Sequence, residues 1–254
     1  MAEGDIPSPA SSLIYFILVS LGFLVFTVFT INKSSDIIAI NNSKDSNVIN
    51  FIYILFIIIG SYFLNVHNSR MICDQSIEWN YILIVTVMPW LIIFVLLYFI
   101  LKLFPGWVSP FSNTIGYMFV SMLGVSTTLE ELLAKNTKIE EKPDLVKAIN
   151  TIKNNKSKFI NQIDINLSNF EAFIGELKQT NIFEYATTSD SQYDDNIIKL
   201  YKLITIKHVI GKIVWYILAG ILISSISYNY IIGISCEKTV DQIIKEYEEA
   251  NPGE

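Results

Sequence analysis

Four long apolar stretches dominate the pattern of hydrophobic and polar positions along the chain. They cover residues 12–31, 48–66, 81–104 and 208–235. A helix needs about 20 consecutive, mostly apolar residues to cross the hydrocarbon core of a bilayer. Helices of soluble proteins keep a polar face, and the first three stretches have almost none. The pattern therefore predicts an all-α, multi-pass transmembrane protein with about four spans.

The segment 105–125, which follows the third stretch, differs from the spans. Pro89 predicts a kink within the third helix, and Pro105 and Gly106 predict its end. The apolar run in the segment is too short to span, so we expect an interfacial or re-entrant segment. A fifth span is the alternative, although the polar residues of the segment would be costly in lipid. Aromatic residues typical of the headgroup level are predicted membrane anchors: Trp107, Phe111, Tyr117 and Trp215.

Residues 126–207 form a polar region that predicts a small helical extramembrane region of three or four short amphipathic helices. Thr127 and Ser168 are each followed three residues later by glutamate, which predicts two helix N-caps. The last helix of the region is expected to continue into the fourth span, and residues 236–254 form a charged C-terminal tail. Apolar residues at helical spacing are candidates for a partner surface: Phe170, Phe173, Leu177, Ile197, Leu200 and Tyr201.

Four spans place both termini on one side of the membrane. The loop after the first span and the region 126–207 then share the other side, and most lysines near span ends lie there. Cytosolic loops carry an excess of lysine and arginine. The distribution therefore predicts that the polar region is cytosolic.

The chain has two cysteines, Cys73 and Cys236, and both fall on the side of the termini. This geometry permits a disulfide between them, which would favour an oxidising compartment. Two unpaired thiols are the alternative, since spacing alone does not reveal connectivity.

Small residues recur along the fourth span at Gly220, Ser224 and Ser227. Such residues allow helices to approach closely. A substrate pathway is the alternative interpretation, but deep ionisable groups normally mark transport, and the spans have none. We therefore predict helix packing for these positions.

Charge and motifs exclude several function classes. The formal net charge of -6 argues against nucleic-acid binding, which needs a basic face. The sequence has no P-loop, GxSxG or HExxH motif and only two histidines. We therefore predict no catalytic, cofactor-binding or metal-binding residues and no enzymatic activity. A transporter or channel-like membrane subunit remains the alternative function.

Two blocks carry a resemblance to a known family. They are PWLIIFVLLYFILKLFPGWVSPFSNTIGY, residues 89–117, and IVWYILAGILISSISYNYI, residues 213–231, followed by SCEKTVDQIIKEYEE. Together they cover roughly a third of the chain, and the PFSNT-aromatic stretch is the most specific part. They resemble a membrane protein family of nucleocytoplasmic large DNA viruses, whose virions carry a bilayer beneath an icosahedral capsid.

The resemblance implies a structural protein of the virion internal membrane, derived from the host endoplasmic reticulum. It also implies a membrane-anchored minor capsid role. The expected partners are the lipid bilayer and viral capsid proteins or other membrane proteins. The resemblance transfers no catalytic residues, and neither it nor the residue pattern indicates an oligomeric state.

Overall fold

The structure is a computed structural model. It describes residues 10–44, 46–73, 78–134, 142–184 and 195–233. The protein is all-α, and within these ranges the only strand-like pairing is an antiparallel bridge between Leu133 and Phe183. The α-helices, in chain order, are α1 Ala10–Lys33, α2 Ile37–Lys44, α3 Asn47–Cys73, α4 Trp79–Pro89, α5 Val95–Leu103, α6 Ser109–Phe111, α7 Tyr117–Met122, α8 Val125–Leu132, α9 Pro143–Asn154, α10 Lys156–Gln162, α11 Leu167–Gln179 and α12 Asp195–Ile232.

Four helical stretches in the described part of the chain are long and apolar enough to cross a membrane: Ala10–Lys33, Ile37–Cys73, Trp79–Leu103 and Asp195–Ile232. This confirms the predicted number of membrane-spanning candidates, and the segment 105–125 is not among them. The most apolar part of α12 is 50% buried, whereas those of the other three stretches are 22–28% buried. Most residues in the apolar parts of those three stretches are therefore not buried by the rest of the protein and are available to lipid.

The third helix changes its geometry at the predicted kink. Pro89 ends α4, and the next residues, Trp90–Phe94, form a π-helical turn before α5 begins. Proline cannot donate a backbone hydrogen bond, and π-helical turns commonly accommodate such a break. Trp90 and Phe94, at the two ends of this turn, are both 1% exposed.

Helix α3 extends past the predicted end at residue 66, although the added residues are polar. Asn68 and Ser69 are buried, as is Asn65, whose Nδ2 donates a 2.8 Å hydrogen bond to Thr86 Oγ1. Asn65 lies inside the predicted span, whereas Asn68 Nδ2 and Ser69 Oγ, in the added part, are buried without a hydrogen-bond partner among the described residues. Hydrophobicity alone therefore underestimates the length of this helix.

The chain divides into two compact units. Unit 1 contains residues 1–22, 48–103 and 216–254, and unit 2 contains residues 23–47 and 104–215. Residues 105–125, which the sequence analysis placed beside the first three spans, group with residues 126–215 in unit 2. The loop after the first span also belongs to unit 2, as expected if this loop and the polar region share one side of the membrane.

Buried aromatic rings fill the interior of unit 1. Phe16 lies 5.4 Å from Trp90, and Phe94 lies 4.9 Å from Tyr216, between ring centroids. The ring of Tyr53 lies 6.1 Å from the rings of both Phe94 and Tyr216. These five side chains are at most 4% exposed, so they form a continuous core that we call the aromatic cluster.

Unit 2 has its own apolar core. Phe170 on α11 lies 4.7 Å from Tyr201 on α12, and both rings are fully buried. Five of the six candidates for a partner surface are at most 7% exposed, namely Phe170, Leu177, Ile197, Leu200 and Tyr201. Helical spacing identifies an apolar face, but here other helices of the same unit cover that face.

The two predicted N-caps in unit 2 are wrong. Thr127 lies inside α8, which begins after Gly124 at a φ of 88°, a left-handed conformation that glycine adopts without strain. Ser168 lies inside α11, whose N-cap is Asn166. The side chain of Asn166 accepts hydrogen bonds from the backbone amides of Ser168 and Asn169, which satisfies two donors that the helix cannot pair itself.

Candidate functional site

A buried lysine is the most unusual polar feature of unit 2. Lys207 lies on α12 and is 3% exposed. Its Nζ donates hydrogen bonds to Asn113 Oδ1 at 2.9 Å and to Asn161 Oδ1 at 3.0 Å. Asn161 Nδ2 in turn donates to the backbone carbonyl of Asn113 at 3.3 Å, so the two amides also hold each other.

Close contact between backbones brings these residues together. Asn113 belongs to the π-helical segment Ser112–Gly116. A Cβ atom added to Gly116 would lie 2.3 Å from the backbone oxygen of Lys207, and one added to Gly211 would lie 2.6 Å from the amide nitrogen of Ser112. Two glycines therefore allow the π-helical segment to contact α12 directly. Such π-helical segments occur frequently at functional sites.

The charge of Lys207 has no acidic partner in the described part of the chain. The structure pairs Lys156 with Glu130 in an ion pair, but no described carboxylate lies within 4.0 Å of Lys207 Nζ. An ammonium group has three donors. Two of them bond the oxygens of Asn113 and Asn161, and both oxygens are neutral. Burying a charge without a counter-charge costs several kcal/mol. An anion bound beside Lys207 would offset that cost.

A cavity of about 310 Å³ opens beside Lys207. Polar groups from three parts of unit 2 line it, including Ser109 and Asn113, Asn161 and Asp164, and His208. We call this the Lys207 cavity. Pockets for small ligands typically begin at about 300 Å³, and a few convergent polar groups usually fix the ligand.

Asp164 is the acidic residue of the Lys207 cavity. Burial raises the pKa of its carboxyl, but hydrogen bonds from Asn166 and Asn169 and the charge of Lys44 outweigh that effect and lower the pKa overall. Asp164 Oδ1 accepts from the Asn166 amide at 2.9 Å, and Oδ2 accepts from Asn169 Nδ2 at 2.7 Å. Both carboxylate oxygens are therefore engaged at the start of α11.

A second buried lysine connects α2 to the polar region. Lys44 Nζ donates to the backbone carbonyl of Ile165 at 2.6 Å, and the hydroxyl of Tyr201 donates to the same carbonyl at 3.0 Å. Tyr201 also contacts Asn41 Oδ1 at 3.2 Å. Lys202 Nζ donates to the carbonyl of Asn32 in the last turn of α1 at 3.0 Å. These bonds attach the first loop to the polar region within unit 2.

Three of the four predicted membrane anchors lie together. Trp215 Nε1 donates to the backbone carbonyl of Trp107 at 2.7 Å, and the ring of Phe111 lies 5.1 Å from that of Trp215. Trp107 is 52% exposed, whereas Tyr117 is half-buried on α7. We call Trp107, Phe111 and Trp215 the anchor cluster.

The small residues of the fourth span lie at close contacts within unit 1. A Cβ atom added to Gly220 would lie 2.0 Å from the ring of Phe16. Ser227 Oγ donates to the backbone carbonyl of Val85 at 3.0 Å, and Ser224 is 9% exposed. These contacts fit the predicted role in helix packing.

Cys73 lies at the end of α3 and is bonded in a disulfide. Cys236, its predicted partner, lies outside the described residues, so the pairing stays a prediction. Nearby, Val66, Ile82, Val85 and Ile231 form an apolar cluster that joins the ends of α3 and α12 with the start of α4.

Sequence reasoning missed the Lys207 cavity. Asn113 and Asn161 precede Lys207 by 94 and 46 positions, and asparagine is abundant in the chain. The available signal was a lysine flanked on both sides by isoleucine and valine residues in the run ITIKHVIGK of α12. Such a lysine must either reach water or find buried partners.

Comparison with known proteins identifies no relative: no family model, no characterised protein and no solved structure matches the chain.

Proposed function

We propose that this chain is a structural virion protein that anchors a capsid shell to an internal viral membrane. The sequence resemblance of residues 89–117 and 213–231 supports the viral and capsid parts of the proposal. The structural observation that carries the anchoring role is the aromatic cluster of unit 1. Four apolar helices suit permanent residence in a bilayer, because a helix satisfies its own backbone polar groups there.

The aromatic cluster argues for scaffolding over transport. A transporter or channel needs a polar path through its helices, commonly with ionisable groups. In the described part of unit 1, buried rings occupy the interior, and no aspartate, glutamate, lysine, arginine or histidine is buried. Several buried polar side chains bond each other. Asn65 donates to Thr86 at 2.8 Å, and the hydroxyls of Ser20 and Tyr53 lie 2.8 Å apart. This interior suits a stable bundle.

A capsid partner would meet the polar surface of α9, α10 and α11 in unit 2, because these three helices expose no large apolar side chain. Lys147 and Lys153 on α9 and Lys158 on α10 are exposed and offer amines on that surface. Lys44 and Lys207 are at most 9% exposed and serve as internal controls.

Amine-reactive cross-linking of purified virions followed by mass spectrometry tests the proposal. We expect cross-links from the exposed lysines to capsid subunits and none from Lys44 or Lys207. Absence of the chain from purified particles would refute the proposal. Particles in which the exposed lysines react with cross-linker but never join a capsid subunit would refute it as well.

A further inference from the structure

We propose that the Lys207 cavity binds a phosphate group, supplied either by a lipid headgroup or by a free phosphate. This inference concerns a ligand site and does not depend on capsid anchoring. It starts from the buried ammonium of Lys207, whose two described partners are neutral amide oxygens at 2.9 and 3.0 Å. A bound anion would supply the missing counter-charge.

The surroundings favour an oxygen-rich anion of modest size. The cavity of about 310 Å³ offers the Ser109 hydroxyl and the side chains of Asn113, Asn161 and His208 beside the ammonium. Phosphate oxygens accept several hydrogen bonds, and those from charged donors are roughly twice as strong as neutral ones. Asp164 also lines the cavity, but both its oxygens accept bonds from the start of α11. The Asp164 carboxylate is therefore bound to groups of the protein and needs no hydrogen bond from the ligand.

The position of the cavity on α12 favours a lipid as the source. Trp215 of the anchor cluster follows Lys207 by eight residues, which is about 12 Å along a helix. Aromatic clusters of this kind sit at headgroup level. Residues 196–232 of the same helix contain four lysines and no acidic residue. Basic residues next to a span attract anionic lipids.

Lipid binding to the purified full chain tests the proposal. Delipidated protein in a neutral detergent is titrated with dioleoylphosphatidylglycerol, and bound lipid is counted by native mass spectrometry. A parallel arm adds inorganic phosphate alone, and a third arm adds inorganic phosphate to the lipid complex. Lys207→Met removes the charge with little change in volume. Lys199→Met is the matched control, because Lys199 is an exposed lysine on the same helix.

Asn161→Asp provides a second test that does not depend on removing the lysine. The new carboxylate would stand about 3.0 Å from Lys207 Nζ, where the amide oxygen now lies. It would neutralise the ammonium internally. We expect this variant to lose the ligand. Its melting temperature reflects two opposing effects, the gained ion pair and the lost 3.3 Å bond from Asn161 Nδ2 to the Asn113 carbonyl, so ligand binding is the readout.

The expected result is one tightly held phosphate-bearing ligand on the unaltered protein. Lys207→Met and Asn161→Asp should weaken its binding on the order of tenfold or more, and Lys199→Met should leave it unchanged. Displacement of the lipid by inorganic phosphate, or direct phosphate binding, identifies a free phosphate as a sufficient ligand. Lipid binding that phosphate does not disturb identifies the headgroup. Equal binding by all four proteins, equal weakening by the two lysine substitutions, or no bound probe at all would overturn the proposal.

Discussion

Replacing Gly116 with alanine tests the backbone contact that builds the Lys207 cavity. The added Cβ would lie 2.3 Å from the backbone oxygen of Lys207 and 3.1 Å from its carbonyl carbon. Reaching an ordinary contact of 3.4 Å requires the two backbones to separate by about 1 Å. The obstacle is the backbone of α12, which cannot turn aside as a flexible side chain can.

The energetic cost follows from two effects. Overpacking of a filled interior typically costs about 1–3 kcal/mol. Separation of the backbones would also lengthen the 2.9 Å bond between Asn113 and Lys207, and a hydrogen bond to a charged group contributes about 1.5–3 kcal/mol. Because the lengthened bond keeps part of its strength, we expect Gly116→Ala to lower the free energy of unfolding by about 2–5 kcal/mol. For a chain of this size the melting temperature should fall by on the order of 5–15 °C.

Gly175→Ala is the matched control. Gly175 lies inside α11, and an added Cβ there would meet nothing within 4 Å. Alanine is a better helix former than glycine by about 0.5–1 kcal/mol, so this variant should melt slightly higher. Helix propensity favours alanine at both sites, and only the close contact can make the two shifts differ in sign. Scanning fluorimetry of tryptophan emission measures the melting temperatures of both variants. A melting temperature of Gly116→Ala equal to or higher than that of the unaltered protein would refute the contact.

Four further predictions follow from individual bonds. Asn166→Ala removes the N-cap of α11 and should cost about 1 kcal/mol of unfolding free energy, measured by the same fluorimetry. Cys73→Ser and treatment with a reductant should lower the melting temperature by similar, non-additive amounts, and non-reducing peptide mapping should find a cross-linked peptide containing Cys236. The lowered pKa of the Asp164 carboxyl contributes stability above its unfolded pKa that is lost as pH falls through the folded value, so Asp164→Asn should flatten the acid side of the melting profile. Lys44→Met should cost about 1.5–3 kcal/mol of unfolding free energy through the lost bond to Ile165, again measured by fluorimetry.

The spans could be predicted from the sequence because lipid imposes one simple requirement on long apolar helices. The same reasoning located the break at Pro89 and the continuity of α12 with the polar region. It failed at the end of α3, where Asn65 pairs with Thr86 and the polar side chains are buried. Asn68 and Ser69, beyond the predicted end, are buried by tertiary packing, which composition does not report.

The partner surface could not be predicted, for a related reason. The spacing of Phe170, Leu177 and Tyr201 correctly marked an apolar helical face. Whether such a face meets a partner or the core of its own unit depends on tertiary packing. The N-cap of α11 shows the same limit at short range, because Asn166 and Ser168 both suit the role and only the backbone conformation decides between them.

Two of the buried lysines of unit 2, Lys44 and Lys207, differ in what surrounds the ammonium group. Lys44 Nζ lies 2.6 Å from the carbonyl of Ile165, and its charge acts on the neighbouring Asp164 carboxylate. The electrostatic cost of burying Lys44 is therefore partly offset within the protein. Lys207 has amide oxygens but no described carboxylate within 4.0 Å, and it lies beside a cavity of about 310 Å³. A buried charge that is held in place, has no carboxylate within 4.0 Å among the described residues and borders open space is most stable when an anion occupies that space.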